Sequence, residues 1–347
     1  MEDRLFCMNS FLTYRYIADA TKSFDDGVKP YFFSANPNKF HISSVQDVSS
    51  SIRQYVNEIL KAGGKIGLAL SGGIDSAILA KFVPANTQTY TFHCIAPGAL
   101  DETEAAKQYA DICSLPNKVI DVTWEDYMAV SPVLMKHKGA PIHSIEPQIY
   151  KAACVAKNDG ITHLLFGENA DIIFGGMDGL LAKDWTFDEF VQRYTYLDPR
   201  KILKEGKQLL GPFEKYRNGN MIDFYGFICD FFYYEANNSY DNACSTAGVV
   251  YSTPFNRMKL DFTLDFQRIR SGDTKYMLRE LFNELYPQLG QPKKIPMPRA
   301  VTQWLADWDG PKRPEFIPHC ADGLKGDQRW MIFVLEMFLN LLDNGKK

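Results

Sequence analysis

The sequence predicts an α/β protein in which a parallel sheet is followed by a mostly helical C-terminal part. Between residues 66 and 166, short apolar runs typical of buried strands alternate with amphipathic helical patterns. This alternation is typical of a parallel sheet that is covered by helices on both faces. A glycine-rich turn follows the first strand, and strand patterns fade beyond about residue 184, which places the sheet in the first half of the chain.

The predicted elements follow one another with short connections. The predicted helices are residues 45–60, 101–113, 124–136 and 148–158, and the predicted strands are residues 66–70, 88–94, 118–122 and 162–166. The first helix has apolar residues at helical spacing from Val45 to Ile59, with two glycines after its end. The apolar run over residues 331–342 is shorter than the roughly 20 residues of a membrane span, so it predicts a buried C-terminal helix.

Three segments are predicted along the chain. Residues 1–45 are aromatic and irregular, which favours an N-terminal arm of short strands or extended chain. Residues 46–184 hold the alternating strands and helices, and residues 185–347 form the mostly helical part. No linker rich in Pro, Gly or Ser marks the last boundary.

Composition excludes several classes of protein. The 347 residues carry a net charge of −4, with 46% hydrophobic and 23% charged residues, which is ordinary for a globular protein. The acidic balance argues against nucleic-acid binding, which depends on clustered Lys and Arg. No signal peptide is evident, and the cysteines form no C-x-x-C pair, so a reducing compartment and a soluble, cytoplasmic protein without membrane attachment are expected. The cysteines are Cys7, Cys94, Cys113, Cys154, Cys229, Cys244 and Cys320.

The most informative motif is the string LSGGIDS over residues 70–76, between a buried strand and a helix. Two glycines permit backbone angles that let successive N–H groups point into one concavity and hold phosphate oxygens. Ser71 and Ser76 add hydroxyl groups, and Asp75 beside a phosphate indicates a bridging Mg²⁺. The string lacks the G-x-x-x-x-G-K-[ST] pattern of γ-phosphate transfer. The alternative is a plain strand-to-helix turn with a polar cap.

A second acidic cluster follows the last predicted strand. Glu168 and Asp171 lie three residues apart at the start of a helix and therefore face similarly. In open α/β sheets, ligands bind where strands end and helices begin. If the two strands are neighbours, Asp75 and Asp171 can share one metal ion. The alternative is that both acids stabilise the helix start.

These two motifs carry a family resemblance. LSGGIDS resembles the pyrophosphatase-loop signature of enzymes that cleave ATP between its α- and β-phosphates. The stretch FGENADIIFGG over residues 166–176 resembles the G-[DE]-G-[AS]-D-E-[LI]-F-G-G-Y signature of the synthetase domain of asparagine synthetases. Weaker matches are residues 253–255, which are similar to the end of the family's R-x-P-F, residues 275–279, similar to its K-x-x-L-R, and residues 292–294, similar to its later lysine.

The resemblance implies an adenine-nucleotide α-hydrolase-like fold and an ATP-dependent carbon–nitrogen ligase. Residues 46–184 would form its nucleotide-binding domain, and residues 185–347 would complete the substrate site. ATP and Mg²⁺ are the implied cofactors, and a small-molecule carboxylate is the implied substrate. By that resemblance the catalytic residues are Glu168, Lys275 and Lys293, with Lys294 as the alternative to Lys293. The implied nucleotide-binding residues are Ala69, Leu70, Ser71, Gly72, Gly73, Asp75, Ser76, His93, Cys94 and Gly167, and the implied metal ligands are Asp75 and Asp171.

The sequence also departs from the family pattern. Asparagine synthetases begin with a glutaminase domain whose nucleophile is an N-terminal cysteine, whereas residue 2 here is Glu and only about 45 residues precede the synthetase pattern. Ammonia from solution, ammonia from a separate glutaminase subunit, or another amine is therefore expected as the nucleophile. Five further departures predict a carboxylate that is larger or less charged than aspartate: Asn169, Ile172, Met177, Val250 and Ser252.

Two alternatives remain open at the level of sequence. A catalytically silent module that binds a nucleotide or a partner would explain the changed positions in the second signature. A sulfur-transferring or tRNA-modifying enzyme could use the same loop, although paired cysteines and basic charge are absent. Pyrophosphate release from ATP and Mg²⁺ across a panel of carboxylates separates these alternatives from the amide synthetase.

Overall fold

The computed structural model describes residues 1–292 and 297–345. Its strands are β1 (Phe40–Ile42), β2 (Ile66–Ala69), β3 (Thr89–Cys94), β4 (Asn117–Val122), β5 (His163–Leu165), β6 (Arg217–Asn218), β7 (Met221–Ile222), β8 (Val250–Ser252) and β9 (Met258–Leu260). The helices up to Tyr194 are α1 (Arg4–Tyr14), α2 (Val45–Lys61), α3 (Ile74–Ala80), α4 (Thr103–Cys113), α5 (Trp124–Lys138), α6 (Glu146–Asn158), α7 (Ala170–Ile173), α8 (Asp178–Leu181) and α9 (Phe187–Tyr194).

The described residues beyond Tyr194 hold eight α-helices and two helices of other types. The α-helices there are α10 (Pro199–Ile202), α11 (Gly211–Glu214), α12 (Phe224–Phe227), α13 (Tyr233–Ala247), α14 (Phe266–Arg270), α15 (Tyr276–Leu285), α16 (Val301–Trp304) and α17 (Asp327–Asn344). A π-helix over Ile228–Phe232 joins α12 to α13, and a 3₁₀-helix over Phe255–Arg257 precedes β9.

Five parallel strands form the central sheet in the order β4-β3-β2-β5-β8. The chain builds β2, β3 and β4 outward in one direction and then returns to place β5 on the other side of β2. This reversal puts the topological switch point between β2 and β5, whose carboxyl ends lie side by side with Leu68 opposite Leu165. Ligands of open α/β sheets bind at such a point.

Helices cover both faces of this sheet. On one face, apolar side chains of α2, α3, α4 and α15 pack in one hydrophobic cluster with those of β2. On the other face, α1, α5, α6, α13 and α17 pack in a second cluster with β3, β4 and β5. A third, largely aromatic cluster joins α9, α11, α12 and the π-helix. The α/β fold with a parallel sheet that the sequence predicts is therefore confirmed.

The individual elements agree with the sequence over residues 45–166. Every predicted helix and strand there is present, with ends that differ by no more than two residues; for example, the helix predicted over 101–113 is α4. The buried C-terminal helix is also present as α17. No helix in the described part of the chain is long and apolar enough to cross a membrane.

The structure differs from the sequence-based expectation at two elements. The N-terminal residues expected to be irregular include α1, in which eight consecutive residues from Cys7 to Tyr14 are buried. A helix buried all round has no polar face and hence no amphipathic period to detect. The sheet also has a fifth strand, β8, of only three residues, which is too short to give an alternating pattern. The predicted boundaries at residues 45 and 184 stay a prediction.

Candidate functional site

A cleft lies at the carboxyl ends of β2 and β5. The LSGGIDS motif follows β2, and the acidic motif around Glu168 follows β5. The cleft has a volume of about 190 Å³, and it is open to solvent on one side. Two loops form its floor. We call residues 70–76 the Ser71 loop and residues 166–171 the Glu168 loop.

The Ser71 loop is held in shape by its own hydroxyl groups. The Ser71 N–H donates to the Ser76 hydroxyl oxygen at 3.0 Å, and the two serine hydroxyls lie 2.8 Å apart. The Gly73 N–H donates to the Ser71 hydroxyl at 3.2 Å. Polar groups of this loop are therefore concentrated at the start of α3, where phosphate oxygens could replace some of these internal contacts.

The Glu168 loop presses against the Ser71 loop through a glycine. A Cβ atom added at Gly167 would lie 2.7 Å from Asp75 Cβ and 3.0 Å from Ser76 N, so a larger residue would push the loops apart. The Thr253 hydroxyl donates to the Glu168 carbonyl oxygen at 2.8 Å. The residue that follows β8 thus supports the Glu168 loop from the side that faces away from β2.

Lys275 brings the acids of the two loops together. Its Nζ lies 2.6 Å from Asp75 Oδ2 and 2.8 Å from Asp171 Oδ1, and its side chain is only 8% exposed. Burial alone would lower the pKa of Lys275, but the two carboxylates outweigh burial and raise that pKa above its ordinary value. Lys275 also caps α15 in the left-handed region with a φ of 52°. Two carboxylates from adjacent strand ends therefore converge on one cation.

Glu168 lines the cleft, and its carboxyl group has a raised pKa. Burial raises the pKa of its carboxyl group to about 7, and the nearby charge of Asp171 acts in the same direction. The Asn169 N–H and the Tyr240 hydroxyl hydrogen-bond to the carboxylate and partly offset this rise. A carboxyl group that titrates near neutral pH can accept or donate a proton during a reaction.

Glu102 is a second carboxyl group with a raised pKa, and the sequence did not identify it. Glu102 lies at the N-cap of α4, is 4% exposed, and accepts a hydrogen bond from the Gly72 N–H at 3.2 Å. Burial raises its pKa to about 7. The available signal was an acid at the start of the helix predicted over residues 101–113, and an acid at that position is typical of an ordinary helix start. Tyr240, 72 residues beyond Glu168, carries no local signal at all.

The structure brings most of the predicted site residues to the cleft. The residues that line it from the two loops are Ala69, Leu70, Ser71, Gly73, Asp75, Ser76, Gly167, Glu168 and Asp171, and Lys275 lines it from α15. Gly72 lies behind the loop, where its Cβ would meet Ala105 at 2.9 Å. Lys293 and its alternative Lys294 lie outside the described residues.

His93 and Cys94 lie elsewhere and do not line the described cleft. His93 Nδ1 lies 2.8 Å from Asp121 Oδ1 of the neighbouring strand, at the surface of the protein. Cys94 is buried, and its thiol donates to Gln148 Oε1. Their contribution to adenosine binding stays a prediction.

The five departures from the family pattern do not line the described cleft either. Ile172 is buried in the aromatic cluster, and Met177 packs against it. Val250 is 52% exposed, whereas Ser252 is buried. Asn169 is buried in the left-handed region and exchanges two 3.0 Å hydrogen bonds with the Asn237 amide. Their positions give no support to the expectation that the substrate is larger or less charged than aspartate.

The fold and the site together define a class of protein. A five-stranded parallel sheet with a Ser-Gly-Gly loop and an acidic loop at its switch point is an adenine-nucleotide α-hydrolase-like α/β fold. The asparagine synthase family model matches residues 47–225, which is slightly more than half of the chain. The chain therefore belongs to the asparagine synthase family.

Two curated proteins are similar to parts of this chain. Asparagine synthetase (glutamine-hydrolyzing) 1 of Bacillus subtilis is 30% identical over 137 residues, which cover 38% of this chain and 21% of that protein. The putative asparagine synthetase (glutamine-hydrolyzing) 1 of Methanocaldococcus jannaschii is 25% identical over 175 residues, covering 48% of this chain and 31% of that protein. The matches thus span less than a third of the length of either relative.

Proposed function

We propose that this chain is an ATP-dependent amide-forming synthetase. It adenylates a substrate carboxylate, releases pyrophosphate, and transfers the acyl group to ammonia or another amine. The observation that carries the proposal is the convergence of Asp75 and Asp171, from loops after two adjacent strands, on the buried ammonium of Lys275. The ammonium of Lys275 suits the negative charge of a triphosphate, and the two carboxylates suit the cations that accompany it. Membership of the asparagine synthase family supports the same reaction class.

In the first step, an oxygen of the substrate carboxylate attacks the α-phosphorus of ATP. The bond between that phosphorus and the α–β bridging oxygen breaks, and pyrophosphate leaves with the bonding electrons. Ser71, Gly73 and Ser76 would hold phosphate oxygens through their hydroxyl and N–H groups. Lys275 would neutralise the charge that develops on the pyrophosphate, which is electrostatic stabilisation of the leaving group. Lys293 or Lys294 would add to this charge, as the family resemblance implies.

In the second step, the amine nitrogen attacks the acyl carbon, and AMP leaves as the carbon–oxygen bond breaks. The nitrogen must lose a proton during this step. Glu168 lines the cleft, and its pKa near 7 would let it accept that proton at neutral pH. Its hydrogen bond from Tyr240 orients the carboxylate.

The residues present fit a divalent cation. Mg²⁺ at nucleotide sites is held by one or two carboxylates together with phosphate oxygens, and Asp75 and Asp171 already share one cation. Among the described residues, no group of three or more His, Cys, Asp or Glu side chains could hold a metal ion alone, so phosphate oxygens would have to complete the coordination. When bound there, Mg²⁺ would neutralise charge on the pyrophosphate.

The test is pyrophosphate release from ATP and Mg²⁺ by the purified chain, with a panel of carboxylates that includes aspartate and with ammonia present. At least one carboxylate should support turnover well above the rate without substrate, together with stoichiometric AMP. Release of phosphate and ADP in place of pyrophosphate and AMP would contradict the proposed bond cleavage. No nucleotide turnover, with nucleotide binding retained, would favour the silent module.

The source of the amine is part of the proposal. Ammonia in solution, ammonia from a separate glutaminase subunit, or a substrate amine would each serve the second step. Product formation with ammonium chloride, with glutamine alone, and with glutamine plus a glutaminase distinguishes these sources. Formation from glutamine alone, with release of glutamate, would show that the chain hydrolyses glutamine itself.

A further inference from the structure

We infer that Lys275 occupies the position of the divalent cation until a nucleotide arrives, so that free metal is excluded from the empty cleft. The inference rests on the proposed function for the identity of the cation. It goes beyond that function because it assigns Lys275 a role before catalysis. The consequence is that metal and nucleotide enter together, and that neither Asp75 nor Asp171 holds Mg²⁺ tightly in the absence of a triphosphate.

Lys275 lies where a metal ion would bind the two carboxylates. The Lys275 Nζ lies 2.6 Å from Asp75 Oδ2 and 2.8 Å from Asp171 Oδ1. A Mg²⁺ ion bound to the same two oxygens would lie about 2.0–2.1 Å from each of them. The ammonium and the metal ion would therefore overlap, and only one of them can bind these two oxygens at a time.

The contact between Lys275 and the carboxylates is largely shielded from water. The Lys275 side chain is 8% exposed and that of Asp75 is 20% exposed. The Asp171 side chain is 35% exposed, so the ammonium is the most buried member of the bridge, and removing its partners would leave its charge buried without compensation. A free metal ion must displace the ammonium to reach the two carboxylates, and this breaks the pair of contacts that Lys275 makes with them.

A bound triphosphate would change the partners that are available to Lys275 and to a metal ion. It brings oxygens that can accept the Lys275 ammonium and others that can complete the coordination of a metal ion. Lysine has a flexible stem of four carbons, so its Nζ can leave the carboxylates while the backbone at the start of α15 stays in place. Gly176 packs beside this stem, where any Cβ would collide with Lys275 Cε and with Asp171. The stem is thus confined to the cleft.

The experiment measures binding of Mn²⁺, a spectroscopic substitute for Mg²⁺, to the full chain without nucleotide. Electron paramagnetic resonance of free Mn²⁺ and thermal unfolding with and without Mn²⁺ are the two readouts. The wild-type chain is expected to bind weakly, whereas Lys275→Met is expected to bind Mn²⁺ at least tenfold more tightly and to be stabilised by it. Lys275→Gln, which keeps a polar end group, is a second variant in case Lys275→Met does not fold.

A matched control removes a different positive charge from the same cleft. Arg279 lines the cleft but hydrogen-bonds to Thr274 and Gln291 and not to the two carboxylates. Arg279→Met is therefore expected to bind Mn²⁺ as weakly as the wild type. Equal tightening in Arg279→Met and Lys275→Met would show a general change of charge and would overturn the inference.

Mn²⁺ binding with and without a nucleotide analogue distinguishes a failure of the inference from a failure of the proposed function. Tight Mn²⁺ binding by the wild type without nucleotide would overturn the inference, because the metal would then use the other carboxylate oxygens beside Lys275. Unchanged weak binding in both Lys275 variants would overturn it as well. Binding of Mn²⁺ to the wild type in the presence of α,β-methylene ATP would leave the proposed function standing in either case. Failure to bind Mn²⁺ even with that analogue would contradict the metal site of the proposed function.

Discussion

Gly167 and Asp75 touch so closely that a Cβ atom added at Gly167 would lie 2.7 Å from the Asp75 Cβ. The two residues belong to loops that follow adjacent strands, and this contact sets the distance between the loops. The distance in turn decides whether Asp75 and Asp171 can reach one cation. The sheet, the glycine and the acid pair therefore act as one structural unit.

Gly167→Ala should lower pyrophosphate release by at least tenfold, because the loops must separate to admit the methyl group. Overpacking of this kind costs about 1–3 kcal/mol, and a displacement of about 1 Å at a reacting group can reduce the rate by 10²-fold. The control is Gly211→Ala, since a Cβ at Gly211 meets nothing within 4 Å. Full activity in Gly167→Ala would mean that the loops tolerate a wider separation.

Asp75→Asn and Asp171→Asn should each reduce pyrophosphate release by 10²-fold or more at saturating Mg²⁺, while the fold is retained. Each change keeps the size of the side chain but removes half of the negative charge that faces the shared cation. Asp178→Asn, which alters an exposed acid seven residues after Asp171, is the control. Near-normal turnover in either cleft variant would rule out a metal ion shared between the two carboxylates.

The sequence predicted the two loops because their signals are local. A buried strand, two glycines and a polar helix start occupy consecutive positions around Ser71, and a buried strand, one glycine and an acidic helix start do so around Glu168. The alternation of strands and helices then implied a parallel sheet, in which strand ends meet at one edge. What remained open was whether β2 and β5 are neighbours, since sequence spacing does not fix strand order.

The residues that sequence reasoning missed are brought in by tertiary packing. Glu102 reaches Gly72 across 30 residues, and Tyr240 reaches Glu168 from α13. Neither lies in a pattern that distinguishes a cleft residue from a helix cap or a core aromatic. In the same way, the buried helix α1 lacks the amphipathic period by which helices are recognised.

Glu102→Gln should make the protein more stable above pH 7 and leave its stability unchanged near pH 4. The folded-state pKa of Glu102 is raised to about 7 from 4.5, so folding favours the protonated form. That contribution is complete below pH 4.5 and is lost as the pH rises toward 7. The full shift corresponds to about 3 kcal/mol as an upper bound.

Urea unfolding at a series of pH values measures this effect. Glu104→Gln, which removes an exposed carboxyl group from the same helix, is the control. A difference between Glu102→Gln and the wild type that does not depend on pH would show that Glu102 acts through its shape alone.

The rate of amide formation should rise with pH through about 7, because Glu168 must be ionised to accept the proton of the amine. Its pKa of about 7 sets the midpoint of that rise. Tyr240→Phe removes a hydrogen bond that favours the ionised form, so the midpoint should move to higher pH. The measurement is kcat/KM against pH at a constant concentration of unprotonated ammonia. A midpoint that does not move in Tyr240→Phe would show that another group controls the profile.

Asn169 and Asn237 should stabilise the Glu168 loop as a pair. Asn169 has a φ of 71°, and each of the two amides donates to the other at 3.0 Å. Asn169→Ala places a residue with a Cβ but without a polar group in the left-handed region, at a cost of roughly 1–2 kcal/mol. It also leaves the buried Asn237 amide with fewer partners, at a further cost of about 1–3 kcal/mol. Asn169→Gly removes the pair but relieves the backbone.

The double-mutant cycle of Asn169→Ala and Asn237→Ala therefore should show a coupling energy of about 1 kcal/mol or more. Asn169→Gly should be more stable than Asn169→Ala and should retain more pyrophosphate release, because the backbone angle that directs Glu168 and Asp171 into the cleft is preserved. Denaturant unfolding gives the stabilities, and the pyrophosphate assay gives the activities. If Asn169→Ala and Asn169→Gly lose activity equally, the amide pair and not the backbone angle holds the loop in its active position.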